Sequence, residues 1–211
     1  MPRRAPDSLE DSYIAGVPDH RLFLLRHALT EWSAVGRFTG RSDPPLTAVG
    51  ERQAHAAGRT YALMSDDVPT LVLSSPRRAP LRTAELAGLA VSETTDALLE
   101  WDHGTYEGRT VDEVRYRVPG WSVWSHPVPD GESVDHVEQR ADALLARVRE
   151  ELTRQPVALV VPGDFGRVLV ARWLHLPTTA GRSFGLDPAS LTVLGRAAHG
   201  PRLLHLNLPP S

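Results

Sequence analysis

The sequence predicts an α/β fold, with a mainly parallel central sheet flanked by helices. Three observations carry this. Short apolar runs with little alternation recur along the chain, as expected of strands covered on both faces. Longer stretches of helix-forming residues lie between them, so strand and helix alternate, the pattern of parallel layers. A length of 211 residues suits one domain with room for insertions.

The first run, Leu22–Leu25, ends at Arg26 and His27. Thr47 caps a helix expected to reach about Met64, through a segment rich in Ala, Arg and Gln. Leu71–Ser74 is the second strand. Ser75-Pro76 then leads to a helix over 78–89, whose Pro80 must sit in the first turn, where its missing N–H costs nothing. Ser133 opens a long helix to about Leu152. Val157–Val161 is another buried strand, followed by a helix over 165–174; Leu191–Leu194 and Leu203–Leu206 complete the strand set. The stretch from about Glu100 to Asp130 is rich in Trp, Pro and Gly, and reads as an irregular lid over the sheet edge rather than a second domain. Residues 1–19 have few apolar anchors and read as a flexible leader to a single domain spanning 20–208; the Pro209-Pro210-Ser211 tail is expected to fray.

Composition excludes several classes. Hydrophobic content of 41% and charged content of 23% are ordinary for a globular protein. A net charge of −3 gives no field favouring nucleic acid or an anionic membrane. The absence of Cys rules out disulfides, thiolate metal sites and a Cys nucleophile, and fits a cytoplasmic protein. No apolar run has the length of a membrane span, and the first residues lack a secretory signal. His103, His126 and His136 lack tight ligand spacing, so neither a metal nor a cofactor is expected.

Ligands of open α/β sheets gather at the carboxyl ends of strands. Arg26-His27, Ser74-Ser75-Pro76 and Pro162-Gly163 all fall at such ends. Arg26-His27 is followed by Thr30-Glu31-Trp32-Ser33, then by Arg37-Phe38-Thr39-Gly40-Arg41-Ser42-Asp43 and Pro45-Leu46-Thr47, with Gly50 and Gln53. At these spacings the chain resembles the histidine phosphatase (phosphoglycerate mutase-like) superfamily over roughly residues 20–206. The resemblance implies a three-layer sandwich. It also implies roles: His27 as nucleophile, Arg26 as phosphate clamp, and Glu100, within Leu99-Glu100-Trp101-Asp102-His103-Gly104, as the acid/base carboxylate. Ser33 and the Thr39-Gly40 backbone match donors on the phosphate side. Glu132, beside the Ser133 cap, matches a site carboxylate.

Two positions depart from the family pattern. Ala79 stands where the family has a second clamp Arg, and Pro162 where it has a second core His. Arg78 and Arg82 are near in sequence, but a one-residue shift on a helix turns a side chain by about 100°; Arg78 is the candidate substitute if the chain unwinds locally around Pro80, and the choice between the two stays open. Asp164 is a candidate acid–base group, its plainer role being a carboxylate at a helix N-terminus. Removing one transition-state donor costs about 10²–10³ in rate. The leading expectation is therefore a repurposed enzyme using His27 and Glu100 for acid–base chemistry on a small polar metabolite, phosphorylated or otherwise anionic. Two alternatives stay open: a weak or specialised phosphomonoesterase acting through phospho-His27, and a non-catalytic pseudophosphatase binding a metabolite or partner. Neither nucleic acid nor a membrane is an expected partner, and a homodimer is left open.

Overall fold

A computed structural model describes residues 20–65, 71–197 and 200–211, so the expected leader over 1–19 lies outside the described residues. The strands are β1 (Leu22–Arg26), β2 (Leu71–Ser74), β3 (Glu93–Thr94), β4 (Val157–Val161), β5 (Leu191–Ala197) and β6 (Gly200–Leu208). They form one sheet in the order β3-β2-β4-β1-β5-β6. The β3, β2, β4 and β1 block is parallel throughout. β5 and β6 add an antiparallel flank. The sheet is thus mainly parallel, as expected, and the antiparallel flank makes it mixed. Only residues 198 and 199 separate β5 from β6, far too few for a parallel crossover, which needs a dozen or more.

The helices are α1 (Glu31–Ala34), α2 (Ala48–Met64), α3 (Arg78–Leu86), α4 (Val111–Arg117), α5 (Val134–Glu151) and α6 (Gly163–Trp173). Successive residues of β1 point to opposite faces and divide the core into two. Leu22 and Leu24 pack with α5 and α6, through Val137, Leu145, Phe165 and Leu169. Phe23 and Leu25 pack with α2 and α3, through Ala54, Ala57, Tyr61 and Ala84. Small residues on α2 let it lie close to the chain: a Cβ at Gly50 would stand 2.2 Å from the Leu29 carbonyl oxygen. This is the three-layer sandwich.

Most elements lie where periodicity placed them, with shifted ends. α3 stops at Leu86 rather than residue 89, because the chain reverses at Gly88, whose φ of +73° favours glycine. The 100–130 segment is less irregular than expected. It contains α4, capped by a reciprocal Thr110–Glu113 box, and buries Trp101, Trp121 and Trp124 in the α5/α6 core. The tail does not fray: Ser211 N–H donates to Thr60 Oγ1 (3.0 Å), and Arg59 Nε donates to the Ser211 carbonyl (2.9 Å). The Pro-rich tail hid this docking, since its partners belong to α2. No helix of the described residues is long and apolar enough to cross a membrane.

Candidate active site

The carboxyl ends of β1, β2 and β4 open on one cavity of about 360 Å³, within the range of small-molecule sites. Arg26, His27, Ser33, Thr39, Glu100 and Asp164 all line it. So do Ala79 and Pro162.

His27 leaves β1 with its backbone N–H donating to the Val161 carbonyl (2.9 Å), which ties the β1 and β4 exits together. Its Nδ1 lies 2.9 Å from the Ala28 carbonyl. A carbonyl only accepts, so Nδ1 carries the proton and Nε2 keeps its lone pair. Burial, then the neighbouring Arg26 charge, push the ring's pKa from 6.5 down to about 4. At neutral pH this is a neutral imidazole of defined tautomer.

Arg26 is anchored by Nη1 donating to the Leu186 carbonyl. Its Nε is buried without a partner. A Cβ on Gly163 would come within 3.2 Å of Arg26 Nη2, so glycine at the start of α6 lets the helix approach the guanidinium.

Glu100 reaches the same helix start. Oε1 accepts from Phe165 N–H (2.7 Å) and Trp101 N–H (2.9 Å), and Oε2 accepts from Asp164 N–H (3.0 Å). Pro162, the N-cap residue of α6, makes no side-chain cap, and Glu100 takes that role from another loop. The N–H groups favour the carboxylate. Burial and the adjacent Asp164 charge outweigh them, and the pKa of Glu100 is raised. Asp164 itself pairs with Arg167 Nη1 at 3.1 Å. Its other oxygen lies 3.7 Å from Nε2 of His103, a buried ring stacked on Phe38.

Other sequence candidates are placed differently. Arg78 is exposed and outside the cavity lining; its backbone N–H donates to Asp43 Oδ1 (2.7 Å). It is Arg77, the residue before α3, that lines the cavity. The unwinding supposed for Pro80 does not occur, since Pro80 sits inside α3 as a first-turn proline. Ser33 lines the cavity, but its hydroxyl is engaged in the reciprocal cap with Thr30. Gly40 N–H is likewise taken, by Glu107, whose carboxylate also accepts from Arg41 and Ser42 N–H. Burial would raise Glu107, but these bonds prevail and hold its pKa low.

Glu132 stands outside the cavity and grips Arg140 with both oxygens (2.9 and 2.7 Å). Arg140 was not legible as a site residue, because the Ala97 and Leu99 carbonyls it holds lie some forty residues upstream. Its Nη1 donates to the Ala97 and Leu99 carbonyls, and its guanidinium lies 3.9 Å from the Phe165 ring centroid. It thus braces Glu100 from both sides. Arg140→Ala is expected to cost up to about 3–5 kcal/mol, because it leaves the buried Glu132 carboxylate with only His136 Nδ1 (3.1 Å) and the Asp102 N–H (3.4 Å) beside it; the drop in urea midpoint measures this. Arg140→Lys should recover only part, lacking the fork.

None of Trp101, Tyr106, Tyr116, Trp121 and Trp124 lines the cavity, so these aromatics do not shape an apolar substrate pocket. No cluster of three or more His, Cys, Asp or Glu suited to a metal ion occurs among the described residues.

A neutral imidazole, a guanidinium and a carboxyl of raised pKa around one cavity are groups that phosphoryl transfer uses. The model of the histidine phosphatase superfamily (branch 1) matches residues 22–209. The chain belongs to this superfamily. Within it, an acid phosphatase of Mycobacterium tuberculosis is 44% identical over 189 residues, covering 90% of this chain and 92% of that protein. Phosphoserine phosphatase 1 of Hydrogenobacter thermophilus is 32% identical over 198 residues, covering 89% and 92%. A solved Mycobacterium tuberculosis structure, described as that of an open reading frame, superposes with a TM-score of 0.88 at 42% identity, over 91% of this chain and 99% of that one.

Proposed function

We propose that this protein hydrolyses small phosphomonoesters through a covalent phosphohistidine on His27. The observation that carries the reading is the Nδ1–H donated to the Ala28 carbonyl, which leaves Nε2 as the free lone pair of a cavity-lining ring. In the first step Nε2 attacks phosphorus, the P–O ester bond breaks, and the leaving oxygen takes the Glu100 proton. In the second, water attacks phosphorus, gives a proton back to Glu100 and displaces Nε2, releasing inorganic phosphate. The family resemblances of the acid phosphatase and the phosphoserine phosphatase support the same chemistry. Alkaline-quench trapping with a monoester radiolabelled on phosphorus tests it, because an N–P bond survives base but not acid. A covalent label present in the unaltered protein and absent in His27→Ala is the expected result, and phosphate release without such a label would refute the intermediate.

The pH dependence follows from the two groups. The rate constant kcat/KM should hold down to about pH 4 and fall below it, as His27 protonates and loses its lone pair. It should also fall on the alkaline side, as Glu100 loses its proton above the ordinary carboxylate range. A pH–rate profile with its acid limb near 6.5 would mean that the working His27 is solvated.

A second reading rests on Ala79 and Pro162. Neither offers a side-chain donor to the cavity they line, and Pro162 lacks even a backbone N–H. On this reading the site is incomplete for phosphate, and His27 and Glu100 do acid–base chemistry on a polar metabolite. A broad monoester panel with no His27-dependent phosphate release, alongside a thermal shift with a non-phosphorylated metabolite, would favour it.

A further inference from the structure

We infer that Arg77 supplies the second guanidinium of the substrate anion site, in the space that Ala79 leaves. This rests on the phosphoryl-transfer reading for its role in turnover, but its geometry stands alone. Arg77 precedes α3 with extended backbone angles (φ −73°, ψ 153°), so its side chain follows the strand exit rather than the helical turn that carries Ala79. It lines the same cavity as Arg26, His27 and Ala79. Neither Arg77 nor Arg26 has an ion-pair partner within salt-bridge distance among the described residues.

Buried polar atoms without a partner are rare, and each asks for an explanation. Here Arg26 Nε, Arg77 Nε and Ser75 Oγ are all buried and unpartnered, and all three residues line this one cavity. A missing partner that accepts from two guanidiniums and a hydroxyl is an oxyanion. A phosphomonoester carries about −1.5 to −2 charge near neutral pH and three acceptor oxygens, which matches two cations and a neutral donor. Arg78 cannot share this role, being exposed and outside the lining.

Inorganic phosphate is the probe, titrated calorimetrically into the full-length unaltered protein, Arg77→Ala, Arg77→Gln and Arg78→Ala, with circular dichroism as a check on folding. Losing a charge-assisted contact should weaken phosphate binding about 10- to 100-fold in both Arg77 variants. Arg78→Ala should stay within about twofold. Monoester kinetics should show the same split, with KM raised and kcat lowered only for the Arg77 variants. Unweakened phosphate binding in folded Arg77→Gln, or no measurable binding by the unaltered protein, overturns the inference. The two proposals fail separately. Arg77-dependent phosphate binding without monoester turnover would sink phosphoryl transfer and leave the anion site standing. Turnover unaffected by either Arg77 variant would do the reverse.

Discussion

His27→Ala is expected to reduce phosphate release from a good monoester by about 10⁴-fold or more, and to abolish the covalent label. The loss is large because no other group in the cavity offers an equivalent lone pair. The His103 ring is buried against Phe38, with Asp164 near its Nε2. The fold should survive. His27 is half-buried and neutral at pH 7, so its removal strands no charge and costs the Ala28 carbonyl one donor.

The same variant should change how stability responds to acid. The folded ring titrates at about 4 against 6.5 when unfolded, so between these values the unfolded chain binds more protons. The unaltered protein therefore loses stability as pH falls from 6.5 towards 4 through this group. His27→Ala lacks that term, and its urea midpoint should fall less over the window. Equal acid sensitivity in the two proteins would show that the ring is not shielded.

The parts of this site that could be read from sequence are those set by a strand exit. Arg26 and His27 follow an apolar run, and any parallel strand presents its last residues at the sheet's carboxyl edge. Glu100 could be placed by its motif, although its use as a cap for α6 could not, because the N–H groups it caps lie sixty-odd residues away. Arg77 was not legible as a cavity residue for a local reason. Helical spacing from residue 78 onwards says nothing of the residue just before the helix, where the backbone is extended and the side chain reaches the cavity lining. Arg140 and Glu132 show the opposite limit. Nothing near either in sequence predicts that their pair braces the Glu100 loop, since that depends on α5 lying beside residues 97–99.

The double change Ala79→Arg with Pro162→His should raise phosphomonoesterase kcat/KM by about 10²–10⁴. Each places a donor at a position where the family resemblance implies one and this chain carries Ala79 or Pro162. The backbone permits both. Pro162 is extended (φ −78°, ψ −177°), a conformation open to any residue, and Ala79 lies in the first turn of α3 on the cavity wall. The cost falls on the empty protein. Another guanidinium would join those of Arg26, Arg37, Arg77 and Arg167 around the cavity, so without ligand the double variant should unfold at a lower temperature. Added inorganic phosphate should reverse that loss and stabilise the variant more than it does the unaltered protein. Each half of this pattern decides something. A rate gain with phosphate-dependent stability would mean that the scaffold still shapes a phosphoryl site and that only donors are missing. A folded double variant with neither gain would mean that the walls themselves no longer fit a tetrahedral anion, and acid–base chemistry on another metabolite would become the better account of His27 and Glu100.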